Sequence, residues 1–327
     1  MAETCRIYVT RPISDAARAR LCEACSDIEI NPEPRALTRD ELIRNLADRD
    51  AVISFVTDTL DRDVLTASMR LRVIANCAVG FDNIDVPAAT ARGIAVTNTP
   101  DVLTDATADL AWALLMVVAR RIVEADRFVR SGRFRGWEPD LMLGADLTGK
   151  TLGVIGAGRV GSAFARRSQG FGMRVLYVNP EPNESLERDL GAQRVDLEIA
   201  LKAADFISLH VPLTAQTRHL INRDRIALMK QTAYLVNTSR GAVVDEAALV
   251  DALRERRIAG AALDVFEHEP HTAAGLAELD NVVLAPHIGS ATTETRTRMI
   301  MLAADNVFAV MRGERPPNIV NPRALGG

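Results

Sequence analysis

The chain has little of what would staple it, ligate a metal or span a membrane. Its 327 residues include four cysteines, at positions 5, 22, 25 and 77. Cys22 and Cys25 form a CxxC, but it falls late in DAARARLCEAC, where a helix is expected to end. A redox pair favours the start of a helix after a strand, and a zinc site needs a second such pair. The thiols are read as structural or incidental, and a reducing cytoplasm is the expected compartment. The five histidines are scattered and no HExxH occurs, so no metal is expected. Neither sign of charge dominates: 39 basic and 43 acidic residues leave a net charge near -4. That excludes a basic nucleic-acid footprint and an acidic disordered tail, so an anionic substrate needs local positive groups. The apolar run LAWALLMVVA, 110–119, is about half of what a bilayer requires. MAETCRIYVTRPIS has no positive region followed by an apolar one, so export is not expected.

What is present is a βαβ rhythm, in a chain long enough and apolar enough, at 48%, for two cores. The first half predicts strands at 5–10, 27–30, 51–55, 71–77 and 93–99, with helices near 14–23, 38–48 and 61–67. A long helix is predicted over roughly 104–131, and the irregular SGRFRGWEPDLMLGADLTGK after it reads as a linker between units. The rhythm restarts at 151, with strands at TLGVIG, 173–179, 205–211, 233–239, 258–266 and 281–286, and a last helix over about 291–312. This predicts an α/β protein with two doubly wound, parallel-sheet, Rossmann-like domains separated by an active-site cleft. Residues 1–101, completed by 290–327, form the substrate-binding domain, and 102–289 the dinucleotide-binding domain. A cleft that closes excludes water from a reaction.

GAGRVG, 156–161, follows a strand and opens a helix, the context a dinucleotide fingerprint requires. Gly156 is assigned to the tight turn, Gly158 to close approach of a pyrophosphate and Gly161 to helix–strand packing. The helix N-terminus supplies N–H groups for phosphates. The end of the next strand, where an acid grips the ribose 2′-hydroxyl of NAD, holds Asn179. Asn bonds a hydroxyl but does not repel a 2′-phosphate. Glu181 is close and Arg159 is the one cation seen nearby, so the reading leans to NAD(H) with NADP(H) open.

Three polar stations stand near strand ends: Arg240 in NTSRG, Asp264 and Glu269 in LDVFEHEP, and His287 in LAPHIG. In a parallel sheet such ends share one edge. Singly, each is as readily a loop residue; in register with the glycine motif they form a constellation. A 2-oxo acid needs a cation for its carboxylate, a proton donor for its carbonyl oxygen and a hydride for C2. Arg240 offers a permanent planar fork, and His287, with an ordinary pKa of about 6.5, the proton. Glu269 orients the ring and favours its charged form. Asp264 is assigned to the nicotinamide or its ribose. His210 is expected to shape the loop lining the cofactor, and His219, His268 and His271 to be solvated. From the first domain, the N–H groups of Val79 and Gly80 in CAVGFDNID could hold the carboxylate, or the stretch is merely a turn; Val56 and Thr57 lie in a second such loop.

NCAVGFDNIDV, VTNTPDVLTDATADLAWALL, DLTGKTLGVIGAGRVG, HVPLTAQTRHLI, NTSRGAVVDEAAL, AGAALDVFEHEP and NVVLAPHIGSAT, in that order over essentially the whole chain, resemble the D-isomer-specific 2-hydroxyacid dehydrogenases. The likeness is greatest to the glyoxylate/hydroxypyruvate reductase branch. The resemblance implies a catalytic set of Arg240, Glu269 and His287, a nicotinamide contact at Asp264, and a substrate carboxylate on Val79 and Gly80. It places Thr104 beside the nicotinamide, and Val160, Pro212, Thr238 and Gly289 are counted with the cofactor-binding residues. It also implies a homodimer through the nucleotide domain, and Trp137 matches a tryptophan that either reaches the neighbour's active site or anchors the interface. A phosphite-oxidising member shares GFDN and SGxFxGWxP but carries a lysine where Val79 stands, which argues here for an oxo acid. The rival from another class is a non-catalytic NAD(H)-sensing scaffold, which would have no need of Arg240, Glu269 and His287 together.

Overall fold

The computed structural model describes residues 5–25 and 27–326. These form two compact units: one runs through Leu103 and resumes at Ala291, and the other is Thr104–Ser290. The first unit contains β1 (Arg6–Val9), α1 (Asp15–Ala24), β2 (Asp27–Ile30), α2 (Arg39–Leu46), β3 (Ala51–Ser54), α3 (Arg62–Ala67), β4 (Val73–Asn76), α4 (Val86–Ala91) and β5 (Ala95–Thr97). The second contains α5 (Thr104–Ala119), α6 (Ile122–Arg130), β6 (Thr151–Ile155), α7 (Arg159–Arg167), β7 (Arg174–Val178), α8 (Glu184–Leu190), β8 (Gln193–Arg194) and α9 (Leu197–Ala203). It continues with β9 (Phe206–Leu209), α10 (Arg223–Ala227), β10 (Tyr234–Asn237), α11 (Glu246–Arg254), β11 (Gly260–Leu263) and β12 (Val282–Leu284), and α12 (Thr293–Met311) returns to the first unit.

Both sheets are parallel, as the βαβ rhythm predicts. Their order is β2-β1-β3-β4-β5 in the first unit and β12-β11-β10-β9-β6-β7-β8 in the second. Both are doubly wound orders, in which ligands gather at the carboxyl ends of the strands beside the point where the winding reverses. Strands such as AVIS and VIAN are buried along their whole length because helices cover both faces. In the first unit one face is closed by α1 and by Met299, Ala303, Val307 and Phe308 of α12. The segment after α12 is tied to β5: Asn321 Oδ1 accepts the Val96 N–H at 2.7 Å, and its Nδ2 donates to the Ile94 carbonyl at 2.9 Å.

Two expectations need correction. The stretch 104–131 is two helices, because Arg121 adopts a left-handed conformation (φ 53°, ψ 36°) between α5 and α6. The segment 131–150 is irregular but lies inside the second unit rather than between units. Leu147 enters that unit's core, and the Ala145 N–H donates to the Ala119 carbonyl at 2.9 Å. Among the described residues the four cysteines are free thiols, with Cys22 inside α1 and Cys25 at its end. No described helix is long and apolar enough to cross a membrane.

Candidate active site

β6 leads into Gly156, whose φ of +95° suits glycine and whose Cβ would stand 2.6 Å from the His210 carbonyl oxygen. A Cβ on Gly161 would lie 1.9 Å from the Gly156 carbonyl oxygen, so the first turn of α7 sits directly on the glycine turn. Gly158 caps α7 without a side-chain hydrogen bond, and nothing approaches the place its Cβ would take. Arg159 and Val160 begin the helix. N–H groups at the start of α7 that no side chain caps, at the switch between β6 and β9, fit a pyrophosphate. At the end of β10 the buried Thr238 Oγ1 has no hydrogen-bond partner among the described residues, a polar atom that a bound group could satisfy.

His210, at the end of β9, packs its ring on Phe164 at 4.9 Å and places Nε2 2.9 Å from Ser208 Oγ. Part of the residue meets solvent, but burial of the ring pushes its pKa down to about 3, so it is neutral at ordinary pH. Asn179 joins the glycine turn: its Oδ1 accepts the Ala157 N–H at 3.2 Å and its Nδ2 donates to the Glu181 carbonyl at 2.9 Å. Arg159 is not the one cation near this strand end. Arg194, on β8, donates to the Asn179 carbonyl at 3.0 Å and to the Pro180 carbonyl. Strand pairing, not nearness in sequence, brings it there from fifteen residues away.

Arg240, Asp264 and His287 follow β10, β11 and β12. Three adjacent parallel strands thus deliver them to one edge of the sheet. Asp264 is buried, and its two oxygens accept the N–H groups of Ile288 at 2.7 Å and Gly289 at 2.8 Å. Its main-chain oxygen accepts the His287 N–H at 2.8 Å. This grip holds His287 at a φ of 57°, which costs a non-glycine residue energy and persists only where its surroundings impose it. Burial pushes the Asp264 carboxyl above its ordinary range, against the opposing pull of those N–H groups and of His287.

Glu269 Oε2 lies 2.8 Å from His287 Nδ1, and Glu269 Oε1 accepts the Phe266 N–H at 3.1 Å. Burial pushes the Glu269 carboxyl up, but the bond and charge of His287, the Phe266 N–H and the charge of Arg240 together hold it below the usual carboxylate range. Arg240 Nη1 donates to the Ser239 carbonyl at 2.9 Å. The contact at Nδ1 leaves Nε2 as the ring atom that can serve a substrate.

In the first unit, the Val79 and Gly80 carbonyls accept from Asn98 Nδ2 at 2.8 Å and Asn76 Nδ2 at 2.9 Å. No hydrogen bond among the described residues uses the N–H of either. The loop with Val56 and Thr57 is organised by the buried Asp58, which accepts the Phe55 N–H at 2.9 Å and pairs with Arg11 at 2.9 Å. Thr57 Oγ1 accepts from Arg11 at 2.6 Å. In the second unit, Thr104 opens α5, the Pro212 carbonyl accepts from Thr217 Oγ1 at 2.6 Å, and Trp137 is 84% exposed. His219 is not merely solvated: its Nε2 lies 2.7 Å from Glu267 Oε1. Two residues that brace the loop carrying Glu269, Glu246 and Gly241, are not apparent from the sequence, because their contacts are with a loop some twenty-five residues on. No group of three or more His, Cys, Asp or Glu side chains among the described residues is placed to hold a metal.

Fold and site together define a class, the nicotinamide-dependent oxidoreductases. The profile described as "D-isomer specific 2-hydroxyacid dehydrogenase, NAD binding domain" matches residues 112–289. A glyoxylate reductase of Thermococcus litoralis is 52% identical over 324 residues, covering 98% of each chain. One of Korarchaeum cryptofilum is 51% identical, covering 98% of this chain and 97% of its own. Among solved structures, the NADPH-dependent glyoxylate/hydroxypyruvate reductase of Sinorhizobium meliloti, in complex with NADP and malonate, superposes with a TM-score of 0.87. It is 35% identical and covers 98% of both chains. The chain belongs to the D-isomer-specific 2-hydroxyacid dehydrogenase family, in its glyoxylate reductase branch.

Proposed function

We propose that this protein reduces small 2-oxo acids with NAD(P)H, glyoxylate to glycolate first and hydroxypyruvate to D-glycerate second. The observation that carries the reading is the 2.8 Å contact between Glu269 and His287 Nδ1, at the strand edge that also holds Arg240. The cofactor, when bound, supplies the hydride taken up at C2 of the oxo acid. His287 delivers a proton from Nε2 to the carbonyl oxygen as the C2–H bond forms, and takes it back in the reverse direction. Glu269, with Oε2 at Nδ1, keeps the ring oriented. Arg240 clamps the substrate carboxylate and polarises the carbonyl, and the N–H groups of Val79 and Gly80 are assigned to the same carboxylate. D-stereochemistry is taken from the family.

Gly156, Gly158 and Gly161 are assigned to the pyrophosphate and Asn179 to the ribose hydroxyls. The reading leans to NADH, because Asn179 can bond a hydroxyl and Glu181 lies beside it; Arg194 at the same strand end keeps NADPH usable. Homodimerisation through the second unit is supported by the exposed Met116, Ile122, Val129, Phe134, Trp137 and Leu143 on α5, α6 and the segment after them. A cytoplasmic setting agrees with the free thiols.

The test is steady-state reduction of glyoxylate and hydroxypyruvate with NADH and with NADPH, alongside His287→Ala. Turnover with either acid is expected, and the variant should lose it by on the order of a hundredfold or more while still binding NADH. Unchanged turnover in His287→Ala would sink the mechanism. Absence of turnover on either acid, with NADH bound tightly, would favour a binding role.

A further inference from the structure

Glu246 opens α11 with its residue only 4% exposed, although nothing in the reaction proposed above uses it. Its oxygens are committed separately. Oε1 accepts the Glu267 N–H at 2.6 Å and Oε2 accepts the Ala273 N–H at 3.1 Å. These donors bracket the loop that carries Glu269. The same loop is pressed from a second side. A Cβ on Gly241, the residue after Arg240, would lie 1.8 Å from the Phe266 carbonyl carbon and 2.3 Å from the Glu267 nitrogen. The 266–267 peptide therefore rests on a bare Cα. From a third side, the Glu267 carboxylate is held by Arg218 at 3.0 Å and His219 at 2.7 Å. The Phe266 N–H, next to that clamped peptide, is the one that fixes Glu269 Oε1 and leaves Oε2 for His287.

We infer that Glu246 is a positioning residue for proton transfer: by bracketing residues 267–273 it sets where Glu269 meets His287. This rests on the roles proposed above for Glu269 and His287. A buried carboxylate is costly, and a residue needed only to fill space at the start of α11 could be apolar. Two backbone N–H groups arriving from opposite ends of one loop need two acceptor oxygens on one side chain, which a carboxylate has and an amide does not. Burial pushes the Glu246 carboxyl up against the pull of those N–H groups; Glu267 adds to the rise and His268 opposes it. The charged groups acting on Glu269 are His287 and Arg240, and Asp264 senses Glu269 in turn.

The experiment compares Glu246→Gln, Glu269→Gln and the double variant with the parent enzyme, reading kcat, KM, the pH profile of kcat and the Kd for NADH. Glu246→Gln turns one acceptor into a donor facing an N–H. The expected result is a fall in kcat of about tenfold or more with a displaced pH profile, while KM and the NADH Kd stay within about twofold. Because Glu246 acts through Glu269, it should add little in the Glu269→Gln background. Glu246→Asp keeps both acceptors on a shorter stem and should recover part of the lost rate; if the Gln variant does not fold, the Asp variant enters the same cycle. Parental kcat and pH profile in the Glu246 variant, or effects that simply multiply with those of Glu269→Gln, overturn the inference. His287→Ala separates the two failures: if it is inactive while Glu246→Gln is normal, only the positioning role falls, and if it is active, the proposed mechanism falls first.

Discussion

At the scale of single residues, the site depends on how two carboxylates differ. Asp264 is buried behind the turn it holds, with its carboxyl pushed above the ordinary range, whereas Glu269 is held below it by His287, the Phe266 N–H and Arg240. A carboxyl held low in the folded protein contributes stability that is present above its unfolded pKa and is lost as pH falls through the folded value. Glu269→Gln should therefore blunt the acid-side fall of Tm relative to the parent. It should also cut kcat and move the acid limb of the pH–rate profile. A parental profile in the variant would remove Glu269 from proton transfer. Arg240 and His287 were legible in the sequence because each stands just past a strand, so strand order brings them to one edge, and Glu269 because it follows Asp264 in the loop after β11. Glu246 and Arg194 were not, since what each does depends on a loop or strand end reached only through tertiary pairing.

At the scale of elements, the junction of β6 and α7 is the least tolerant of change. Gly161→Ala drives a methyl group towards the Gly156 carbonyl, so α7 must lift from the turn it seats. Overpacking of this kind costs about 1–3 kcal/mol, read as a lower Tm, and NADH and NADPH binding by calorimetry should weaken together. Loss of one cofactor alone would mean that the glycine sets specificity rather than seating. Trp112 of α5 stacks on both Phe164 and Phe171 at 5.2 Å from each, and its Nε1 donates to the Phe164 carbonyl at 2.7 Å. Strands and long helices were readable from apolar runs and capping residues. The break at Arg121 was not, because both flanking sequences favour helix and only the left-handed backbone of one arginine separates them. The two-residue β8 carries too little pattern to be seen at all.

At the scale of the whole molecule, apolar side chains left uncovered on α5, α6 and the 131–143 segment argue for self-association. Phe134→Glu should weaken dimerisation by about tenfold or more, seen by sedimentation as a concentration-dependent shift to monomer. A monomer in the parent protein at all concentrations would assign the patch another role. The two-sheet plan was legible from the βαβ rhythm and its restart at 151; the place of 131–150 inside the second unit was not, because irregular sequence does not reveal which core its few apolar residues join.

The return of α12 to the first unit has a consequence for synthesis. Domains generally complete themselves in the order they leave the ribosome. Here the unit begun first is finished last, because its sheet lacks Met299, Val307 and Phe308, and β5 lacks Asn321, until the final stretch emerges. A growing chain some 290 residues long holds all of the second unit but only a partly covered first one. During that interval α1 alone covers that apolar face of the sheet, and the rest of it waits for α12.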